Sequence, residues 1–259
     1  MLKAEQLTIG YEGKILAHGV DFSVEPGQIT AVLGPNGRGK TTLIRTLLGL
    51  IPAQEGQVQR SGAYAYVPQH QPVPFAYDVI SMVTMGRARH LKWWQSPSKA
   101  DYDIAHACLE EVRLGHLAQR NFSTLSGGQQ QLVNMARALA SECPLIVLDE
   151  PTAALDLRNQ DVVLSVLHRL RSKCQLAVVF TTHQPQHALH VADHTMLMYT
   201  DACAFGSTAD MCTSDNLTRL YGLPIHVQTL QHQQQHLLGA LPVYSPLTEM
   251  PPEMVAMAA

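Results

Sequence analysis

Among all stretches of this chain, Gly34-Pro35-Asn36-Gly37-Arg38-Gly39-Lys40-Thr41 most constrains what it can fold into. It satisfies G-x-x-x-x-G-K-[ST] at every fixed position. The near-continuous apolar run "QITAVL" precedes it, and "TTLIRTLLGLI", with helical spacing and a stop near Gly49 and Pro52, follows. A buried strand, a glycine-rich loop and a helix in that order bring backbone N–H groups together at the positive end of a helix dipole, where phosphate oxygens bind. Lys40 is expected to reach the outer phosphates and the Thr41 hydroxyl to ligate Mg²⁺, with Thr42 beside it. The charge of Arg38 adds to the phosphate field. An ordinary glycine-rich turn would have no reason to sit between those two elements.

A loop that holds phosphate needs partners on neighbouring strands. "PLIVLDE" and "LAVVFTTH" are short apolar runs ending in polar residues, as parallel strands with functional groups at their carboxyl ends do. Asp149 at the first strand end is expected to hold the water shell of the metal, and Glu150 to accept a proton from an attacking water. Gln69 after "AYAYVP" and His183 after "VVFTT" stand at two further strand ends. His183 is one of 13 histidines, so only its place in the architecture marks it.

Composition narrows the classes. With 259 residues and 46% apolar content the chain can bury a sizeable core, as one large domain or two closely packed subdomains. A net charge of −3 argues against a nucleic-acid partner, which would call for a basic stripe. Five cysteines without a C-x-x-C pair suggest a reduced compartment. No signal peptide is read before the first strand pattern. No apolar run approaches the roughly 18–20 residues of a membrane span, so any work at a membrane is expected to go through a partner.

Along the chain, "LKAEQLTIGY" and "ILAHGVDFSV" read as antiparallel strands, and "EGQVQRSGAYAYVPQ" as a short hairpin. Helical periodicity from Ala76 to Arg113 is interrupted by "WWQSPSKADYD". "STLSGGQQQLVNMARALAS" is a loop feeding a helix, and "DVVLSVLHRLRSK" is a crossover helix. After Gln228 the pattern dissolves into a Gln-, His- and Pro-rich segment. Residues 229–259 are therefore expected to form a frayed, dispensable tail with some helix at its start. In such a helix His232 and His236 would have the i, i+4 spacing of metal ligands.

Taken together, these motifs resemble the nucleotide-binding subunit of ATP-binding cassette (ABC) transporters over residues 1–228. Beside the phosphate loop stand the glutamine loop at Gln69, the signature Ser126-Gly127-Gly128-Gln129, the Walker B pair Asp149-Glu150, an aspartate loop ending at Asp156, and the switch histidine His183. Tyr11 matches the aromatic that stacks on adenine. The resemblance implies an α/β P-loop NTPase cassette: a mainly parallel core sheet, an antiparallel β subdomain, and a helical signature subdomain over about 76–140. It implies ATP hydrolysis with Mg²⁺ in a head-to-tail dimer, where the signature of one copy closes over ATP held by the other.

It further implies integral membrane permease subunits as partners, a substrate-binding protein acting indirectly, and a place at the cytoplasmic face of the membrane. "FAYDVISMVTMGRARHL" and "TSDNLTRLYGLPIHV" are similar to type II importers of iron chelate, haem and cobalamin. "LAQRNFSTLSGGQ" and "VVFTTHQP" look closest to the molybdate/tungstate importer ATPase. "YTDACAFGS" departs from the family in lacking an Asp-Gly turn. A soluble, non-transport ABC ATPase is the alternative, disfavoured by a single cassette without heptads.

Overall fold

The computed structural model describes residues 2–11, 13–69, 76–153, 155–171, 176–200, 202–232 and 235–244. Five strands run parallel in its main sheet: β3 (Ile29–Leu33), β5 (Tyr64–Val67), β6 (Leu145–Leu148), β7 (Ala177–Thr182) and β8 (His194–Met198). The order is β5-β6-β7-β3-β8, and β9 (Cys203–Ser207) closes one edge antiparallel to β8. Both faces of this sheet are covered, which is why its strands read as unbroken apolar runs. Ile29, Ala31, Leu33, Ile146, Leu148, Val178 and Phe180 point into one apolar layer. Val32, Leu145, Val147, Val179 and Met196 point into the other.

The first layer is covered by α5 (Leu157–Arg171), which contributes Val162, Val163, Val166, Leu167 and Leu170 at helical spacing, and by α6 (Pro185–Val191). The second is covered by α1 (Lys40–Leu47) and by the antiparallel sheet β2-β1-β4 (Lys14–Val24, Leu2–Tyr11, Glu55–Arg60). Three helices pack on one another beyond the β5 edge: α2 (Val79–Thr84), α3 (Lys99–Glu111) and α4 (Gly127–Ala140). Asp78 caps α2 by accepting from Ser81 N at 2.8 Å. A 3-10 helix, Met85–His90, continues from α2.

Two sequence expectations are corrected. "EGQVQRSGAYAYV" is not a hairpin: β4 pairs with β1, whereas β5 joins the main sheet parallel to β6. The mostly exposed β4 suits the rim of the outer sheet, and the more apolar "YAYV" suits the buried edge of β6. The boundary at residue 228 also fails. β10 (Ile225–His232) runs through it and pairs with β11 (Gln235–Pro242) from Ile225↔Pro242 to His232↔Gln235. This hairpin is held by the body of the protein, because Ala240 is buried and its carbonyl accepts from Gln186 Nε2 of α6 at 2.8 Å. His232 and His236 thus lie on opposite strands, without helical spacing. The expected tail beyond residue 244 lies outside the described residues. "YTDACAFGS" does form the β8–β9 hairpin, with Asp201 outside the description.

Candidate active site

The carboxyl ends of β3, β6 and β7 meet at one point, and each delivers one part of the site. From β3 the chain enters the Gly34–Thr41 loop, and Gly34 N donates to Thr182 O of β7 at 3.3 Å. Gly37 and Gly39 have φ of 78° and 90°, a left-handed backbone that favours glycine. A Cβ on Gly39 would also come within 3.1 Å of Leu16 Cδ1. Lys40 opens α1 but is only 5% exposed. Its Nζ donates to Gly34 O at 2.8 Å and Pro35 O at 3.1 Å, and lies 3.0 Å from Glu150 Oε1.

β6 delivers Asp149 and Glu150, both buried. Thr181 of β7, fully buried, ties them together: its hydroxyl donates to Asp149 Oδ1 at 2.7 Å and accepts from Glu150 N at 2.7 Å. The Tyr66 hydroxyl donates to Asp149 Oδ2 at 3.4 Å. Burial, and then the charge of Asp149, raise the Tyr66 pKa, so the phenol stays a donor. Glu150 has φ of 48°, a backbone that a non-glycine residue adopts at a cost of about 1 kcal/mol or more and that clusters at functional sites.

β7 leads into His183, whose Nδ1 lies 3.1 Å from Glu150 Oε2. Each oxygen of Glu150 thus faces one nitrogen, Lys40 on one side and His183 on the other. The His183 carbonyl accepts from the Tyr221 hydroxyl at 2.7 Å, which anchors the histidine to the helix Ser214–Tyr221. Burial raises the Tyr221 pKa well above the phenol range. Sequence reasoning missed Thr181, Tyr66 and Tyr221. In an apolar strand a threonine or tyrosine reads as an ordinary strand former, and only the doubled "FTTH" hydroxyls hint at more.

A cleft of about 550 Å³ opens over this point. Asn36, Gly37, Gly39, Lys40, Thr41 and Thr42 form its floor, Glu150 and Gln69 one wall, and Tyr11, Lys14 and Leu16 the outer rim. Tyr11 is 59% exposed at the end of β1, so its ring is not core packing. Gly34, Pro35 and the half-buried Arg38 belong to the loop without lining the cleft, and the buried Asp149 does not line it. Among the described residues, the signature does not line it either. Ser126 caps α4 instead, in a reciprocal pair: its Oγ accepts from Gln129 N at 3.3 Å, and Gln129 Oε1 accepts from Ser126 N at 3.1 Å. A Cβ at Gly128 would press to 3.0 Å from Leu155 Cδ2, whereas one at Gly127 would meet nothing within 4 Å. Asp156 likewise caps α5, accepting from Asn159 N at 2.8 Å.

Residues 17–153 match the family model described as ABC transporter. The chain belongs to the ABC transporter family. It is 43% identical over 247 residues to the molybdate import ATP-binding protein MolC of Haemophilus influenzae, covering 95% of this chain and 98% of that one. It is 36% identical over 217 residues to the hemin import ATP-binding protein HmuV of Methylobacillus flagellatus, covering 76% and 80%. A solved ABC transporter of metal-chelate type, in an inward-facing conformation, has a TM-score of 0.87 at 43% identity and covers 94% of this chain and 97% of its own. The chain is accordingly an ATP-binding, ATP-hydrolysing subunit of the ABC importer group, whose ATPases dimerise and act with membrane permease components. Among the described residues, no helix is long and apolar enough to cross a membrane.

Proposed function

We propose that this subunit drives a type II importer by hydrolysing MgATP in two composite sites between head-to-tail copies. The observation that carries the reading is the separation of two phosphate-binding devices. Lys40 and Glu150 line one cleft, with His183 on the other oxygen of Glu150, while Ser126–Gly128 do not line that cleft and leave open space where a Gly127 side chain would stand. Neither sterics within the chain nor its backbone φ asks for glycine at 127. Close approach of a second copy's nucleotide does.

ATP docks its phosphates on the N–H groups of the Gly34–Thr41 loop, with the adenine against Tyr11. Thr41, Gln69 and Asp149 offer the hard oxygen donors that Mg²⁺ takes. Because Thr181 and Tyr66 already hold both Asp149 oxygens, this carboxylate fits a water of the metal shell better than the ion itself. Bound there, Mg²⁺ neutralises phosphate charge. Lys40, drawn to the γ-phosphate, leaves Glu150 Oε1 free to take the proton of an attacking water. His183 keeps the other carboxylate oxygen oriented, and Asp156 serves the contact between copies from the start of α5.

The helices α2–α4 form the lever beneath the permease, linked to the cleft through Gln69, and a substrate-binding protein delivers cargo on the far side. The subunit would then sit at the cytoplasmic face of the membrane. Likeness to MolC favours molybdate or tungstate as cargo over iron chelate, haem or cobalamin.

The composite site is tested in a Glu150→Gln background, which retains bound ATP. One copy carries Lys40→Ala and the other Gly127→Asp. A signature acting across the dimer leaves one intact site in the mixed dimer, so about one ATP per dimer should be occluded, and almost none in either homodimer. No occluded ATP in a verified mixed dimer would overturn the reading.

A further inference from the structure

Both tryptophans of the chain lie side by side at the tip of one turn, far more exposed than any stability role requires: Trp93 is 91% exposed and Trp94 65%. The turn is closed twice, by Gln95 N donating to Lys92 O at 2.9 Å and by Lys92 N donating to Gln95 Oε1 at 3.4 Å. The two indoles meet edge to face with centroids 5.4 Å apart, and Lys92 Nζ lies 5.6 Å from the Trp94 centroid. Its base is rigid. Buried Arg87 bonds Asp101, Ala140 O and Glu142, and Arg89 Nη1 donates to Glu142 O at 3.1 Å. On the far side Ser98 and Asp101 lock the start of α3.

Charge adds a second observation. In a chain of net charge −3, residues 88–100 carry Arg89, Lys92 and Lys99 and not one carboxylate. An exposed pair of indoles flanked by Lys92 and Lys99 is complementary to an anionic bilayer surface, where tryptophan settles at the headgroup level and each nearby Lys or Arg adds attraction. A protein-docking hot spot would instead be ringed by packing residues that exclude water. Here the ring is Lys92, Gln95, Ser96 and Lys99, all exposed. We propose that the Lys92–Gln95 turn is a lipid anchor: Trp93 and Trp94 enter the headgroup layer of an anionic membrane while Lys92 and Lys99 bind its phosphates. This contact is additional to the permease and does not depend on which cargo is imported.

Because the chain has two tryptophans, its indole emission reports this turn alone. Titrating the full chain with phosphatidylglycerol-rich vesicles should shift the emission to the blue, with quenching by brominated acyl chains and reversal by salt. Phosphatidylcholine vesicles should do far less. K92Q/K99Q should weaken partition by roughly tenfold or more. W93S/W94S should abolish co-sedimentation with vesicles while leaving ATPase activity in solution unchanged. Emission unmoved by anionic vesicles overturns the proposal. So does a shift that appears only with permease-containing neutral vesicles, which would assign the turn to a protein contact.

Discussion

Replacing Thr181 by valine would remove one hydroxyl and leave shape nearly unchanged, yet the structure makes that hydroxyl the joint between Asp149 and Glu150. It donates to Asp149 Oδ1 and accepts from Glu150 N, each at 2.7 Å, and Thr181 is 0% exposed, so water cannot replace it. Losing a hydrogen bond to a charged group costs about 1.5–3 kcal/mol, and stranding a buried N–H about 1–3 kcal/mol. Both losses come from one substitution with some relaxation, so about 3–5 kcal/mol of stability should go. That corresponds to a drop in Tm of roughly 10 °C for a chain of this size. Glu150 sits in a left-handed backbone that this bond helps hold, so its carboxylate should wander, and a fall in kcat of about 10–100-fold is expected. ATP affinity should change little, because Lys40 and the Gly34–Thr41 loop are untouched. Thr181→Ser keeps the hydroxyl and loses a methyl, costing about 1 kcal/mol with kcat near wild type. Denaturant melts and steady-state ATPase assays of both variants decide it. If valine and serine prove alike in kcat, the hydroxyl does not position the pair.

What could be read from the sequence was local. The Gly34–Thr41 loop, with its strand and helix, is fixed by contiguous residues, so both its existence and its position followed from spacing. "LIVLDE" and "VVFTTH" were legible for the same reason: apolar runs with polar ends announce buried parallel strands. Pairing was not legible. Nothing within "EGQVQRSGAYAYV" says that its halves belong to different sheets, because that is decided by the remote strands β1 and β6. The C-terminal hairpin was hidden by composition. Glutamine and histidine are poor markers of a strand, and only one end of the hairpin is buried, so alternation fades where Leu230, Leu237 and Leu238 reach solvent. Second contacts were hardest. Tyr221 supports His183 from 38 positions away, through a hydroxyl that no spacing rule would single out.

Three further outcomes are expected. Lys40→Ala should weaken MgATP binding by about 1.5–3 kcal/mol in a calorimetric titration, and an unchanged Kd would remove Lys40 from the phosphate role. Burial, then the neighbouring His183 and His190, depress His187 to about 4 from 6.5. Its folded-state pKa lies below the unfolded one, so its stabilisation is full above pH 6.5 and is lost as pH falls towards 4. His187→Asn, which can keep the bond to Thr152, should therefore lose less stability than wild type between pH 7 and pH 4.5, and parallel curves would refute this. The last outcome separates a packed hairpin from a dispensable tail. Cutting the chain after Leu230 deletes β11, and with it the Ala240 carbonyl that Gln186 of α6 binds and the cover over Ile225. An orphaned amide and uncovered apolar surface together cost about 3 kcal/mol or more, which is roughly 6–12 °C of Tm. Because α6 begins two residues after His183, ATPase activity should fall with it. Cutting after Tyr244 leaves every one of these contacts in place and should spare both. If the chain cut after Leu230 melts and hydrolyses ATP like wild type, the hairpin lends nothing to the core, however regular its pairing.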